Sequence, residues 1–223
     1  MRGKNIAVIG TTRGIGLELV RQLVSAGGNV FAFCREVSPS LRAIKPKAII
    51  ENFNVIDTDA MIAGVRKLGN TRVDWLIHVA GILRNENLDK LTQRSLLRQV
   101  SVNSIGPVLT VQTFLPYLSK QSKIGLLTSR LGSITENTSG GYYGYRMSKA
   151  ALNAAGQSLS KDLSSRGIAV FLLHPGYVRT EMTGYSGDIN ASESASGLIK
   201  LMREKSIRDT GTFWHVNGRK IPW

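Results

Sequence analysis

Seven short runs in this chain are apolar almost without interruption and rich in β-branched or aromatic residues: Ile6–Ile9, Val30–Cys34, Ala48–Ile50, Trp75–Val79, Ile124–Thr128, Ala169–His174 and Phe213–Val216. Between them lie longer segments with apolar residues at helical spacing, the strongest being Gly14–Ala26, Asp57–Leu68, Gln93–Leu118 and Gly144–Ser165. A strand that is apolar at nearly every position is covered on both faces, and the cover comes from helices that carry the chain between parallel neighbours. The alternation therefore predicts an α/β architecture: a doubly wound, seven-stranded parallel sheet with helices on both faces. No linker, repeat or low-complexity tract divides the 223 residues, so residues 1–223 are expected to form a single domain. Pro107, inside Gln93–Leu118, predicts a kink or break. Ligands of such sheets lie beyond the carboxyl ends of the strands, and every motif below follows an expected strand.

Composition narrows the function classes. Lys and Arg outnumber Asp and Glu by 29 to 15, a formal charge of +14. The basic residues are scattered rather than gathered in a run or a nucleic-acid motif, so they are expected to be solvated surface with local anion sites, and no nucleic-acid partner is expected. No apolar run approaches the ~20 residues of a membrane span, and Met1-Arg2-Gly3-Lys4 leads straight into a strand, so no membrane partner is expected. The single cysteine, Cys34, has no partner for an internal disulfide; a cytoplasmic protein is the expectation. His78, His174 and His215 lack the spacing of metal ligands and read as structural, so no metal is expected.

After the first strand comes Gly10-Thr11-Thr12-Arg13-Gly14-Ile15-Gly16, opening a helix. Glycines here let backbone N–H groups approach a pyrophosphate, which the positive end of the helix holds. The second strand ends in Arg35, where recognition of an unphosphorylated ribose calls for a carboxylate. An arginine there suits a 2′-phosphate, with Arg13 as the other half of a cationic clamp, and NADP(H) is expected in preference to NAD(H). Glu36 is expected to point away from Arg35 if the strand continues.

Tyr145 and Lys149 stand four apart in Tyr145-Arg146-Met147-Ser148-Lys149, one turn apart on one face of a helix. A nearby ammonium favours phenolate, which makes a tyrosine a usable proton donor and acceptor near neutrality. Tyr142 has Arg146 four residues on, but it follows Gly140-Gly141 ahead of the helix, and an arginine keeps its proton. Ser129 as a nucleophile lacks a base in any hydrolase motif.

With the glycines and the Tyr145/Lys149 pair in view, the chain resembles the short-chain dehydrogenase/reductase superfamily over nearly its whole length, which implies the Rossmann fold. His78-Val79-Ala80-Gly81 is similar to the superfamily's Asn-Asn-Ala-Gly element with both asparagines replaced. Val102-Asn103-Ser104-Ile105-Gly106, Ser129-Arg130-Leu131-Gly132 and His174-Pro175-Gly176-Tyr177-Val178-Arg179-Thr180 resemble its helix asparagine, serine motif and Pro-Gly loop. Asn54, before Val55, stands at its adenine-binding aspartate. Ser129-Arg130-Leu131-Gly132-Ser133-Ile134, Asn137-Thr138-Ser139-Gly140-Gly141 and the terminal Ile221-Pro222-Trp223 resemble the C-factor or Sniffer type of carbonyl reductase. The resemblance implies hydride transfer between NADP(H) and a small carbonyl or alcohol substrate. In it Tyr145 is the acid, Lys149 lowers the tyrosine pKa and binds the nicotinamide ribose, Ser129 bonds the substrate oxygen, and Asn103 holds a water that relays protons. It further implies a cofactor cradle of Gly10, Thr12, Arg13, Gly14, Ile15, Gly16, Arg35, Asn54, Val55, Ala80, Gly81, Tyr145, Lys149, Pro175, Gly176, Val178 and Thr180. Relatives often dimerise or tetramerise through Gln93–Leu118 and Gly144–Ser165, although C-factor-like chains need not, so the resemblance allows a homodimer or homotetramer without requiring one. Only a short Gly/Ser-rich stretch separates Thr180 from the last helix, so an open site is expected, and Tyr142, Tyr143, Tyr177, Met182 and Tyr185 are candidates to line an apolar pocket. A nucleotide-binding signalling protein of C-factor type is the alternative.

Overall fold

A computed structural model describes all 223 residues. Its seven-stranded sheet runs in the order β3-β2-β1-β4-β5-β6-β9, every pairing parallel. The strands are β1 (Asn5–Ile9), β2 (Asn29–Phe33), β3 (Ala48–Ile50), β4 (Val73–His78), β5 (Leu118–Leu127), β6 (Ala169–His174) and β9 (Thr212–His215), matching the seven expected runs to within a few residues except at the start of β5. The order reverses direction beside β1, so a crevice opens between the ends of β1 and β4.

Side-chain alternation divides the core in two. Ala7, Ile9, Leu76, Leu126 and Leu172 face α3 (Thr58–Arg66), α5 (Gly106–Phe114) and α6 (Tyr143–Ser164). Ile6, Val8, Ile77, Phe171 and Leu173 face α1 (Gly14–Ser25) and α7 (Ala191–Glu204) on the other side. Burial of both strand faces is the physical reason the runs are apolar throughout.

The segment Gln93–Leu118 differs from the single kinked helix expected. It forms α4 (Gln93–Val100), a π-helical turn at Ser101–Ile105, then α5 and a short 3-10 turn. Pro107 lies at the start of α5 and has no N–H to give the carbonyl four residues back, that of Asn103. The chain answers by widening the preceding turn instead of breaking. Two small elements went unexpected: α2 (Pro39–Ile44), capped by the Ser38 side chain, and a parallel pair, β7 (Val178–Arg179) with β8 (Ile189–Asn190). No helix is long and apolar enough to cross a membrane.

Candidate active site

The site is built at the ends of β1, β4, β5 and β6. β1 ends in Gly10, whose φ of 90° only glycine adopts freely, and a Cβ there would stand 2.7 Å from the Ala80 nitrogen. The glycine turn and the Ala80-Gly81 turn therefore touch as bare backbone. Thr11 and Thr12 tie that turn to the end of β2, donating to the carbonyls of Phe33 (3.2 Å) and Glu36 (3.0 Å). At the start of α1 the Arg13 side chain makes no capping bond, and no acidic residue sits in the first turn. Such an end offers its N–H groups to an anion.

A cleft of about 480 Å³ opens there. Its walls include Gly10, Thr12, Arg13, Gly14, Ile15, Gly16, Arg35, Asn54, Val55, Ala80, Gly81, Tyr145, Lys149, Pro175 and Thr180. Of the expected cradle only Gly176 and the buried Val178 lie off this surface. Arg98, Ile82 and Glu181 join it without a sequence signal, and Val102 and Thr128 join it beside the Asn103 and Ser129 motifs, all placed by the packing of α4 and the π-helical turn and by the loops after β4, β5 and β6. Met182 and Tyr185 line the cleft; Tyr142, Tyr143 and Tyr177 do not. A second cavity, of about 720 Å³, at the amino-terminal ends of β1, β4, β5 and β6 contains none of the expected site residues.

The expected clamp is arranged differently. Arg13 pairs with Glu181 across the cleft, Nε to carboxylate oxygen at 3.2 Å, while Arg35 makes no ion pair. Because β2 ends at Phe33, alternation stops there, and Glu36 lines the cleft beside Arg35 rather than turning away. Asn54 Oδ1 accepts only a long bond, 3.4 Å, from the Ile56 amide.

Tyr145 and Lys149 are both buried, 8% and 4% exposed, with Lys149 Nζ 5.7 Å from the centre of the phenol ring. Burial pushes the Tyr145 pKa up to about 12, against the pull of a hydrogen bond with Ser129, and burial lowers Lys149 to about 7. This corrects the expectation of an acidified phenol: desolvation dominates at Tyr145, and the same burial favours the neutral form of the lysine that was expected to supply the charge. Lys149 Nζ donates to the Leu127 carbonyl at 2.8 Å. Ser129 is reached because Gly132, at the end of its motif, lies flat on α6; a Cβ there would stand 2.7 Å from the Lys149 carbonyl carbon. Asn153 cross-links the same loop, accepting from Thr128 Oγ1 (2.7 Å) and donating to the Gly132 carbonyl (3.3 Å).

Asn103 spends three of its four side-chain bonding positions inside the protein: Nδ2 on Ile82 O (2.8 Å) and Ser148 Oγ (3.0 Å), Oδ1 on Ile82 N (2.8 Å). That leaves one lone pair of Oδ1 for a further donor. Arg146 spends its guanidinium on the carbonyls of Leu131, Gly140 and Gly141, which removes it as a partner for Tyr142. His78 and His174 are buried with pKa values lowered to about 3, chiefly by desolvation, and no cluster of three metal-binding side chains exists.

Against this geometry, the family model for short chain dehydrogenases matches residues 4–190. The chain belongs to the short-chain dehydrogenase family. It is 34% identical to 1-hydroxy-2-glutathionyl-2-methyl-3-butene dehydrogenase of Rhodococcus sp. (strain AD45), over 98% of this chain and 99% of that protein. It is also 36% identical to C-signal of Myxococcus xanthus, over 68% of this chain and 93% of that one. The NADPH-bound carbonyl reductase from chicken fatty liver superposes over 100% of both chains with a TM-score of 0.91 at 30% identity. Carbonyl reductase Sniffer of D. melanogaster does so with 0.92 at 27%. Within the short-chain dehydrogenases, then, the chain sits with the carbonyl reductase and C-factor-like proteins.

Proposed function

We propose that this short-chain dehydrogenase transfers hydride between NADP(H) and a carbonyl or alcohol carbon, with Tyr145 as general acid and base. The observation that carries the reading is the placement of Tyr145 and Lys149, both buried, in the wall of the cleft that ends in the open N-terminus of α1, with the buried Ser129 hydrogen-bonded to Tyr145 just behind that wall. The cradle fits a dinucleotide: Gly10 lets the glycine turn and the Ala80-Gly81 turn meet as bare backbone, α1 offers unpaired N–H groups to a pyrophosphate, and Arg35 is left for a 2′-phosphate. Gly14, Ile15, Gly16, Ala80, Gly81 and Thr180 would complete the hold. A bound nicotinamide supplies or receives the hydride.

The chain's own residues handle the proton. Tyr145, protonated throughout the neutral range, donates to the oxygen that gains charge as a carbonyl is reduced, and Ser129 donates a second hydrogen bond to that oxygen. Lys149 near pH 7 both takes and gives a proton, which makes it a relay toward Tyr145 rather than a fixed charge, with Asn103 holding the next water. One relative is named for dehydrogenating an alcohol and two structural neighbours for reducing carbonyls, and this acid–base pair serves either direction.

NADPH oxidation with a panel of aldehydes, ketones and quinones tests the reading. Tyr145→Phe should lower turnover by about 100-fold or more while NADPH affinity holds; equal rates would remove Tyr145 as the acid. Arg35→Asp should weaken NADPH relative to NADH, and an unaltered ratio places the 2′-phosphate elsewhere. The similarity to C-signal favours a second reading, a nucleotide-binding signalling role, which tight NADPH binding without turnover of any carbonyl would support.

A further inference from the structure

Two carboxamides stand one turn apart on one face of the helix that follows β4. Asn103 bonds both backbone groups of Ile82 and, through Ser148, the turn of α6 that contains Tyr145, since Ser148 Oγ donates to the Tyr145 carbonyl at 2.8 Å. Gln99, four residues earlier, makes the same kind of connection one turn nearer the mouth of the site. It is fully buried. Its Oε1 accepts from the Arg84 amide at 3.0 Å, and its Nε2 donates to the Glu86 carboxylate at 3.2 Å. On its other side the amide lies directly against Gly144, the residue before Tyr145, where a Cβ would collide with Nε2.

A buried amide with donor and acceptor both engaged is fixed in orientation, because letting either go leaves a desolvated polar group. We propose that Gln99 is a positioning residue: it joins the loop Ile82–Glu86 to the turn entering the Tyr145 helix, so that the wall beside the substrate and the proton donor hold one spacing. Ile82 lines the cleft, so the loop that Gln99 tethers borders the space a substrate would take. The inference rests on Tyr145 being the acid and adds a residue that touches neither substrate nor cofactor.

The test is Gln99→Met, which keeps the buried volume and removes both bonds, beside Glu86→Gln, which keeps an acceptor for Nε2. With a turned-over carbonyl, Gln99→Met should raise KM about tenfold and lower kcat, leave NADPH affinity by fluorescence within about twofold, and speed hydrogen exchange at the Arg84 amide; Glu86→Gln should stay near wild type. An unchanged KM overturns the proposal, including the case where kcat and NADPH-binding stoichiometry fall in the same proportion, which is what a loss of folded molecules produces. If the wild type reduces no carbonyl, the catalytic reading fails on its own, and exchange at Arg84 then decides for Gln99 alone: unaltered protection in Gln99→Met overturns it.

Discussion

At the residue scale the site is a contest between burial and charge. The spacing of Tyr145 and Lys149 was legible in the sequence; the direction of their pKa shifts was not, because it depends on how completely α4 and the Ser129 loop cover them. Lys149 at about 7, against an ordinary 10.5, means that between those pH values the unfolded chain binds a proton that the folded one does not. Stability therefore rises with pH across that window, and the whole penalty is present below it. Lys149→Met should accordingly stabilise the cofactor-free protein at pH 7 by roughly 2 kcal/mol, after the lost bond to Leu127 is set against the removed penalty, while abolishing turnover. Denaturant unfolding at pH 7 and pH 10 checks this: the variant's advantage should shrink at the higher pH, and a variant less stable than wild type at pH 7 would contradict it.

At the scale of elements, what could be read was what repeats over several residues. β3 and β6 fall on their expected residues, and α1 and α6 lie within a residue or two. The misses are short or are set by tertiary contacts. α2 is six residues long, although Ser38 before Pro39 is a start signal; β7 and β8 are two residues each and pair only because the loop after β6 folds back. Pro107 was visible, but its effect appears one turn upstream, as the π-helical turn that presents Asn103. Arg13's partner Glu181 and the buried Gln99 gave no signal, because each is defined by a residue distant in sequence. The docking of one element on another makes its own prediction. Gly132→Ala brings a methyl within 2.8 Å of Lys149 Cβ and closer still to its backbone, and backbone cannot rotate aside. The Ser129 loop must then lift from α6, with a cost of about 1–3 kcal/mol in denaturant unfolding and a larger fractional loss in kcat than in NADPH affinity. A variant with full kcat would mean that Ser129 does not depend on this contact.

For the whole molecule, the shifted groups and the net charge act on stability with the same sign over most of the pH range. His78 and His174 are held neutral in the fold down to about pH 3, whereas unfolded histidines take up a proton near 6.5, so the native state loses ground as pH falls from 6.5 toward 3. Lys149 extends the gain with rising pH through the window from about 7 to 10.5. The formal charge of +14 moves toward zero as pH approaches the pI near 10.3, which relieves self-repulsion in the compact state. Two buried acids oppose this: burial raises the Cys34 thiol above its ordinary 9.0, and an unfolded phenol ionises near 10 whereas the folded Tyr145 does so near 12, so the contributions of both disappear as pH rises past those ordinary values. The cofactor-free protein should therefore be most stable near pH 9–10, unlike the usual maximum between about 5 and 8. On the acid side the two histidines together should cost on the order of 5 kcal/mol between pH 6.5 and 4. Denaturant unfolding across pH 4 to 11 reads the curve, and the double variant His78→Asn/His174→Gln isolates its acid limb. That limb should flatten in the variant whatever its absolute stability; parallel limbs would show that the histidines ionise alike in the folded and unfolded chains.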